Sequence, residues 1–284
     1  MKKIVTIQDI SCFGKCSLTV ALPIISAMGI ETAVIPTAVL STHTGGFNGY
    51  TFRDLTEDIP RIAEHWKTMN LNFSGIYTGY LGSREQIRIV SDFFDDFGSD
   101  NNFIVVDPVM ADFGRLYAGF DEDFVTAMRD LCRKADYIIP NMTEAAMLLG
   151  LPYRDKCDDK YARDILRGLA ELGCATPILT GFSPGDGREG AAAYDSVNDR
   201  FYYSLRKHID CRCHGTGDIF ASVFTGAVTL GKTLQDALDI SVNFTADSIE
   251  KMLPEKDDLW YGSAFELCID KLIEYVKATP HKTA

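Results

Sequence analysis

The chain has 284 residues, 46% of them hydrophobic and 24% charged, with a formal net charge of −12. That size suits one large domain or two small ones, and the acidic balance excludes a broad nucleic-acid surface, which needs a basic stripe. No segment approaches the ~18 apolar residues of a membrane span, and the run Met1–Ile7 is cut off by Gln8 and Asp9 too early for a signal peptide, so a cytoplasmic protein without a membrane partner is expected.

The pattern alternates strand and helix. Lys3–Ile7 reads as a buried strand, Ser17–Met28 as a helix ended by Gly29, and Thr32–Pro36 as a second short strand. Residues 51–68 read as one long amphipathic helix. Ser74–Thr78 is a strand, and Ser83 caps a helix reaching about Phe97. Phe103–Val106 is a fully apolar strand ending in Asp107-Pro108, and Glu122–Lys134 is helical. Tyr137–Ile139 is a strand ending in Pro140-Asn141, before a short helix closed by Gly150. A helix over Tyr161–Leu172 and a strand over Pro177–Thr180 follow. Gly190–Tyr194 and Arg200–Leu205 form a hairpin through residues 196–199. The last third is helical over Asp218–Leu230, Leu234–Met252 and Ala264–Lys277.

Strands alternating with helices imply a mostly parallel sheet covered on both faces, with ligands at the carboxyl ends of the strands. Polar residues gather at those ends: Asp9, Thr78, Asp107, Asn141 and Thr180. No repeat or Pro/Gly/Ser linker divides the chain, so a single domain over residues 1–284 is expected, with 279–284 a frayed tail.

The strongest chemical signal is His214-Gly215-Thr216-Gly217-Asp218, followed at once by an apolar helix. Glycines let the backbone turn its N–H groups inward, and a helix N-terminus favours an anion. An aspartate in the first turn is placed to accept a hydroxyl proton, although the same pattern also serves as a turn with a helix cap. Asp107-Pro108-Val109-Met110 puts a carboxylate at the end of a buried strand, where it can approach Mg²⁺ directly or through water. Glu144, in Pro140-Asn141-Met142-Thr143-Glu144, adds a second carboxylate at the same edge, and its spacing also fits a capping box. The polar segment Ser41–Gly49, with His43 and Thr44, could line a substrate pocket or cap its own loop.

Other patterns are decoys. Gly185–Gly190 fits G-x-G-x-x-G but leads into a hairpin rather than a helix, so it reads as a loop. The eight cysteines lack a Cys-x-x-Cys, and neither Cys12-x3-Cys16 nor Cys211-x-Cys213-His214 has zinc spacing, so reduced thiols are expected. The sequons at Asn141 and Asn243 carry no weight in a cytosolic chain. Neither a Walker A sequence nor the protein-kinase motif set occurs.

Together these residues resemble the pyridoxal/pyridoxamine kinase family of the ribokinase superfamily, over nearly the whole chain and in the same motif order. Gly215-Thr216-Gly217-Asp218 is similar to that family's anion hole and catalytic aspartate. Asp107-Pro108-Val109-Met110 resembles its D-P-V-M strand end, and Thr78-Gly79-Tyr80-Leu81-Gly82-Ser83 its S-G-Y-L-G-S loop. Ser41-Thr42-His43-Thr44-Gly45 resembles S-N-H-T-G, whose threonine lies beside the vitamin. Pro140-Asn141-x-x-Glu144 resembles an element near the metal and phosphates, and Thr180 and Gly181 fall where the family contacts ATP.

The resemblance implies a three-layer α/β/α sandwich without a separate lid domain. It implies transfer from ATP to the 5′-hydroxymethyl group of a B6 vitamer, with Mg²⁺ near Asp107 and Glu144, a monovalent cation such as K⁺ in many members, and a homodimer. Asp218 would be the base, the N–H groups of Gly215–Gly217 would hold the transferring phosphoryl group, and Asp9, His43, Thr44 and Tyr80 would face the vitamer. Two positions depart from the family: Asp9 stands where a serine contacts the pyridine, which points to pyridoxamine or pyridoxine, and Leu40 replaces an aromatic. The rivals are another kinase of the same fold, acting on hydroxymethylpyrimidine or on a sugar, and, from another class, a nucleotide-binding protein without catalysis.

Overall fold

The computed structural model describes residues 1–211 and 213–278. Among them, strands β1 (Lys3–Ser11), β2 (Glu31–Leu40), β3 (Phe52–Asp54), β4 (Gly75–Thr78), β5 (Phe103–Val106), β8 (Tyr137–Ile138), β9 (Thr176–Phe182), β10 (Arg188–Asp195) and β11 (Arg200–Lys207) form one sheet. Its order is β11-β10-β9-β8-β5-β4-β1-β2-β3. The run from β9 to β2 is parallel, and β3, β10 and β11 add antiparallel edges. A short hairpin, β6 (Ala111–Asp112) with β7 (Arg115–Leu116), stands apart from the sheet.

Side-chain alternation on the strands builds two cores. Val5 and Ile7, Ile76, Ile104 and Val106, and Leu179 pack with helices α2 (Asp58–Thr68), α3 (Arg84–Phe97), α4 (Glu122–Cys132), α5 (Met142–Leu149) and α6 (Asp159–Glu171). Ile4, Tyr77, Val105 and Ile178 face α1 (Leu18–Ala27), α7 (Thr216–Thr229), α8 (Leu234–Met252) and α9 (Ile269–Ala278) on the other side. This is the three-layer α/β/α sandwich expected of a ribokinase-like chain. No helix among the described residues is long and apolar enough to cross a membrane.

Most expected elements are present with shifted ends. Ser83 caps α3 by accepting from Gln86 N, and Gly150 ends α5 in the left-handed conformation. The hairpin of β10 and β11 pairs Tyr194 with Phe201. The glycine-rich segment 183–187 joins the antiparallel β9 and β10, as a loop rather than a nucleotide turn. The single helix expected over 51–68 is wrong in its first turns. Residues 52–54 instead pair antiparallel with the end of β2, and the helix begins at Asp58 after Thr56 N bonds Asp54 Oδ1 at 2.8 Å. The helical period of the sequence continues into Asp54, but the open edge of β2 supplies hydrogen bonds that periodicity does not reveal. The helix expected over 264–277 likewise opens as a 3-10 turn at Phe265–Cys268. The tail 279–284 lies outside the described residues.

Candidate active site

Five parallel strands end side by side, and residues at or near their carboxyl ends carry the polar groups singled out in the sequence. Across the sheet these are Thr180 (β9), Asn141 (β8), Asp107 (β5), Thr78 (β4) and Asp9 (β1). Backbone bonds carry the ladder past the strand ends: Thr180 N to Pro140 O, Ile139 N to Val106 O and Asp107 N to Thr78 O, each 3.0 Å, and Gly79 N to Ile7 O at 3.1 Å. Beneath this edge Thr78 Oγ1 is buried without a partner among the described residues.

Helix α7 brings its N-terminus to the same edge. Gly215 caps it at φ 75°, and the first helical bond runs from Ile219 N to Gly215 O at 3.0 Å. The N–H groups of Thr216, Gly217 and Asp218 precede that bond, so they are the first-turn donors open to an anion. This first turn overlaps the Gly215–Gly217 set expected from sequence at Thr216 and Gly217. Open space surrounds the Cα of Gly217, whereas the Lys15 carbonyl packs directly on Gly215.

Asp218 lies at this turn and is half-buried. Burial pushes its carboxyl up to about 7, against a hydrogen bond from the Ser17 backbone, while the charge of Asp9 adds to the rise. A carboxylate poised near neutrality matches the need of a general base. Ser17 itself was not singled out from the sequence. It adopts φ 54° at the start of α1, and its hydroxyl bonds Asp9 while its N–H bonds Asp218. The signal that could have found it is its place between the first strand and first helix, beside Gly14 at φ 98°.

Asp107 and Glu144 are buried together. Burial first, then each other's charge and that of Asp218, hold Asp107 well above the carboxylate range. Burial pushes Glu144 up to about 8. Glu144 Oε2 accepts Asn141 N at 2.9 Å and Oε1 accepts Met110 N at 3.1 Å, while Asn141 Oδ1 accepts Glu144 N at 3.0 Å. The capping box is thus real, and it also ties the 108–112 loop to α5. Asn141 Nδ2 adds a bond to Ala111 O at 2.9 Å. No cationic side chain pairs with either carboxylate among the described residues. Two adjacent buried carboxylates with no counter-charge fit a divalent cation reached through water, and no cluster of three His, Cys, Asp or Glu ligands exists among the described residues for a directly caged one.

The loop 41–49 closes the other side. His43 Nδ1 accepts Gly45 N at 3.2 Å, which puts the proton on Nε2, the atom 3.0 Å from Tyr261 O. Both ring nitrogens are therefore spent on holding the loop, the second of the two roles open in the sequence. His43 also lies against Phe47 and His214, at centroid distances of 4.9 and 5.1 Å. Thr44 is exposed at the rim, and Tyr80 is half-buried and stacked on Phe120 at 5.9 Å. Thr180 and the exposed Gly181, at φ 68°, lie on β9 at the edge beside Asn141.

The chain is similar to known proteins. The sequence model of the phosphomethylpyrimidine kinase family matches residues 22–259. A Bacteroides thetaiotaomicron protein, named as a candidate phosphomethylpyrimidine kinase and crystallised with pyridoxal, is 39% identical, with a TM-score of 0.91 over 100% of this chain and 98% of its own. The pyridoxal kinase of Lactobacillus plantarum is 30% identical, with a TM-score of 0.89 over 99% and 100% of the two chains. The pyridoxine/pyridoxal/pyridoxamine kinase of Bordetella avium is 26% identical over 275 residues, 89% of this chain and 90% of its own.

Proposed function

Since the chain belongs to the phosphomethylpyrimidine kinase family, we propose that it transfers the γ-phosphoryl group of ATP to the 5′-hydroxymethyl group of a B6 vitamer. The observation that carries this reading is Asp218, held near neutrality in the first turn of α7 beside three N–H groups free to bind an anion. The relatives named for pyridoxal and pyridoxine, and the neighbour crystallised with pyridoxal, support the choice of acceptor.

Transfer is in-line. The acceptor hydroxyl lies against Asp218, which takes its proton as the oxygen attacks. The N–H groups of Thr216, Gly217 and Asp218 stabilise charge on the transferring group. Asp107 and Glu144 would hold Mg²⁺ through water, and the ion supplies charge neutralisation on the phosphates. Thr180 and Gly181 border the nucleotide, and the 41–49 loop with Tyr80 borders the vitamer. The reading takes residues 1–284 as one kinase domain working as a homodimer in the cytoplasm.

A second reading, phosphorylation of hydroxymethylpyrimidine, is favoured by the matching family's description. A coupled assay for ADP release with pyridoxal, pyridoxine, pyridoxamine and hydroxymethylpyrimidine separates the two. Turnover with hydroxymethylpyrimidine alone would replace the first reading by the second, and no turnover with any acceptor would reject both.

A further inference from the structure

A segment from late in the chain reaches the side of the site bordered by the 41–49 loop. Between α8 and the 3-10 turn at Phe265–Cys268, two adjacent aromatics, Trp260 and Tyr261, precede the buried Gly262. Residues 259–262 rest on the loops that follow the first two strands. Tyr261 O accepts His43 Nε2 at 3.0 Å and Lys15 N at 3.4 Å. The Tyr261 ring lies 4.8 Å from that of Phe13, and a Cβ on Gly262 would lie 2.4 Å from Lys15 Cβ. Trp260 covers the tip of the 41–49 loop: its ring centroid is 4.6 Å from that of Phe47, and a Cβ on Gly46 would come within 2.7 Å of the indole.

The loop depends on that cover. Its hydrogen bonds fall near its ends: His43 N to Phe13 O, Gly45 N to His43 Nδ1, Ser41 N to Thr51 O and Thr51 N to Ser41 Oγ. Among the described residues no hydrogen bond fixes 46–50, so ring contacts place the tip. Half-buried Phe47 meets Trp260 at 4.6 Å, His43 at 4.9 Å and Phe13 at 6.0 Å. Rings at such separations attract beyond the area they bury. Trp260 and Phe13 are themselves 43% and 51% exposed and belong to neither core. The cluster is a latch on the surface, not part of the folding core.

The same loop also abuts the turn before Asp218. A Cβ on Gly45 would lie 2.7 Å from the His214 ring, and His214 immediately precedes Gly215. The loop is therefore held between Trp260 on one side and the residue before the anion turn on the other. Freeing its tip would alter this wall and leave the strand ends, α7 and the Asp107–Glu144 pair in place.

We propose that Trp260 is a positioning residue: through Phe47 and Gly46 it latches the 41–49 loop over the acceptor, and so sets acceptor affinity without touching the reacting atoms. The inference rests on the kinase reading for what the loop encloses, while the latch itself is independent of that reading. An acceptor that binds only the latched loop is held in proportion to the fraction latched, so unlatching raises its KM. At saturation the acceptor restores the loop, and kcat moves little. A nucleotide bordered by Thr180 and Gly181 meets none of these rings, so its KM is spared.

The test is steady-state kinetics and hydrogen exchange of Trp260→Ala and Trp260→Phe beside the wild type, with pyridoxal, pyridoxine and hydroxymethylpyrimidine as acceptors. Trp260→Ala should raise KM about tenfold for the acceptor that is turned over, with kcat and KM for ATP within about twofold of wild type. It should also speed exchange over 41–51, where the amides of His43, Gly45 and Thr51 are bonded, while β4 and β5 keep their rates. Trp260→Phe keeps a ring against Phe47 and should recover most of the loss. Adding Phe47→Ala to Trp260→Ala should raise KM by less than the product of the two single rises, because one contact is lost only once. An acceptor KM within about twofold of wild type in Trp260→Ala overturns the proposal, as do an equal change in KM for ATP and single rises that multiply. Should Trp260→Ala fail to fold, Phe47→Ala removes the loop's half of the contact and is read in the same way; failure of both would make the pair part of the core and overturn the latch. Wild-type inactivity toward every acceptor would instead reject the kinase reading, and exchange would then decide the latch, unchanged rates over 41–51 in Trp260→Ala overturning it.

Discussion

A Cβ on Gly215 would lie 1.8 Å from the carbonyl oxygen of Lys15. The two residues come from opposite ends of the chain, and their contact seats the 14–17 loop on the turn that carries Thr216, Gly217 and Asp218. Gly215 also holds φ 75°, a conformation costing other residues roughly 1–2 kcal/mol. Gly215→Ala should therefore push the loop away and take Ser17 off Asp218, lowering kcat more than tenfold together with Tm. Gly217→Ala meets nothing within 4 Å, so it should keep Tm within a degree or two and change only the anion site. Thermal unfolding and kinetics on both variants check the contrast; equal Tm losses would contradict it.

Asp218→Asn should keep the fold and lose turnover. Removing a general base costs about 10²–10⁴ in rate, and KM for the acceptor should move little because the amide fills the same space. In the wild type the base must be ionised, so kcat/KM should rise about tenfold per pH unit below about 7 and level above it. A flat profile between pH 5.5 and 8 would remove Asp218 from the role.

Stability without ligands should fall as pH rises. Asp218 and Glu144 are held at about 7 and about 8, so between the ordinary carboxylate range near 4 and those values the folded chain binds protons that the unfolded chain has released. Their contribution is fully present below that range and is lost as pH climbs through about 7 and then 8. Tm of the ligand-free protein should therefore be higher at pH 5.5 than at pH 8.5, and MgATP should narrow the gap by favouring ionised Asp107 and Glu144. A Tm rising with pH in this window would show that these carboxylates are not held protonated.

Asp107 and Glu144 should respond in opposite senses to loss of charge. Both oxygens of Glu144 accept backbone N–H groups, so Glu144→Gln turns one acceptor into a donor and leaves a buried N–H unpaired, at about 1–3 kcal/mol. Asp107→Asn removes a repulsion that burial has made costly and should raise Tm of the ligand-free protein, while increasing the Mg²⁺ concentration needed for half-maximal rate. Chemical denaturation and Mg²⁺ titration test the pair. Destabilisation by both substitutions would mean that Asp107 has a structural partner of its own.

Much of this arrangement was legible before folding. Lys3–Ile7 and Phe103–Val106 are apolar runs of strand length, and the glycines around Thr216 announce a turn before a helix. Asp107 and Asn141 were legible because each ends an apolar run. Residues 52–54 were not, because pairing at an open sheet edge is a long-range choice that a local helical period hides. His43 could be read as a ligand group or a loop cap, and only the approach of Tyr261, 218 positions away, settles where its nitrogens go. Ser17 was silent for the same reason: its partners, Asp9 and Asp218, belong to the first strand and the seventh helix.

The amino-acid sequence by itself determined the layers, the parallel order of strand and helix, and the glycine turn that leads into Asp218, because each depends on local period and turn chemistry. Only the tertiary structure decided which carboxylates share the cleft, which of them carry protons near neutrality, and which amides stay open to an anion. Those properties arise from burial and from charges brought together across the sheet, and neither exists until the chain has closed on itself.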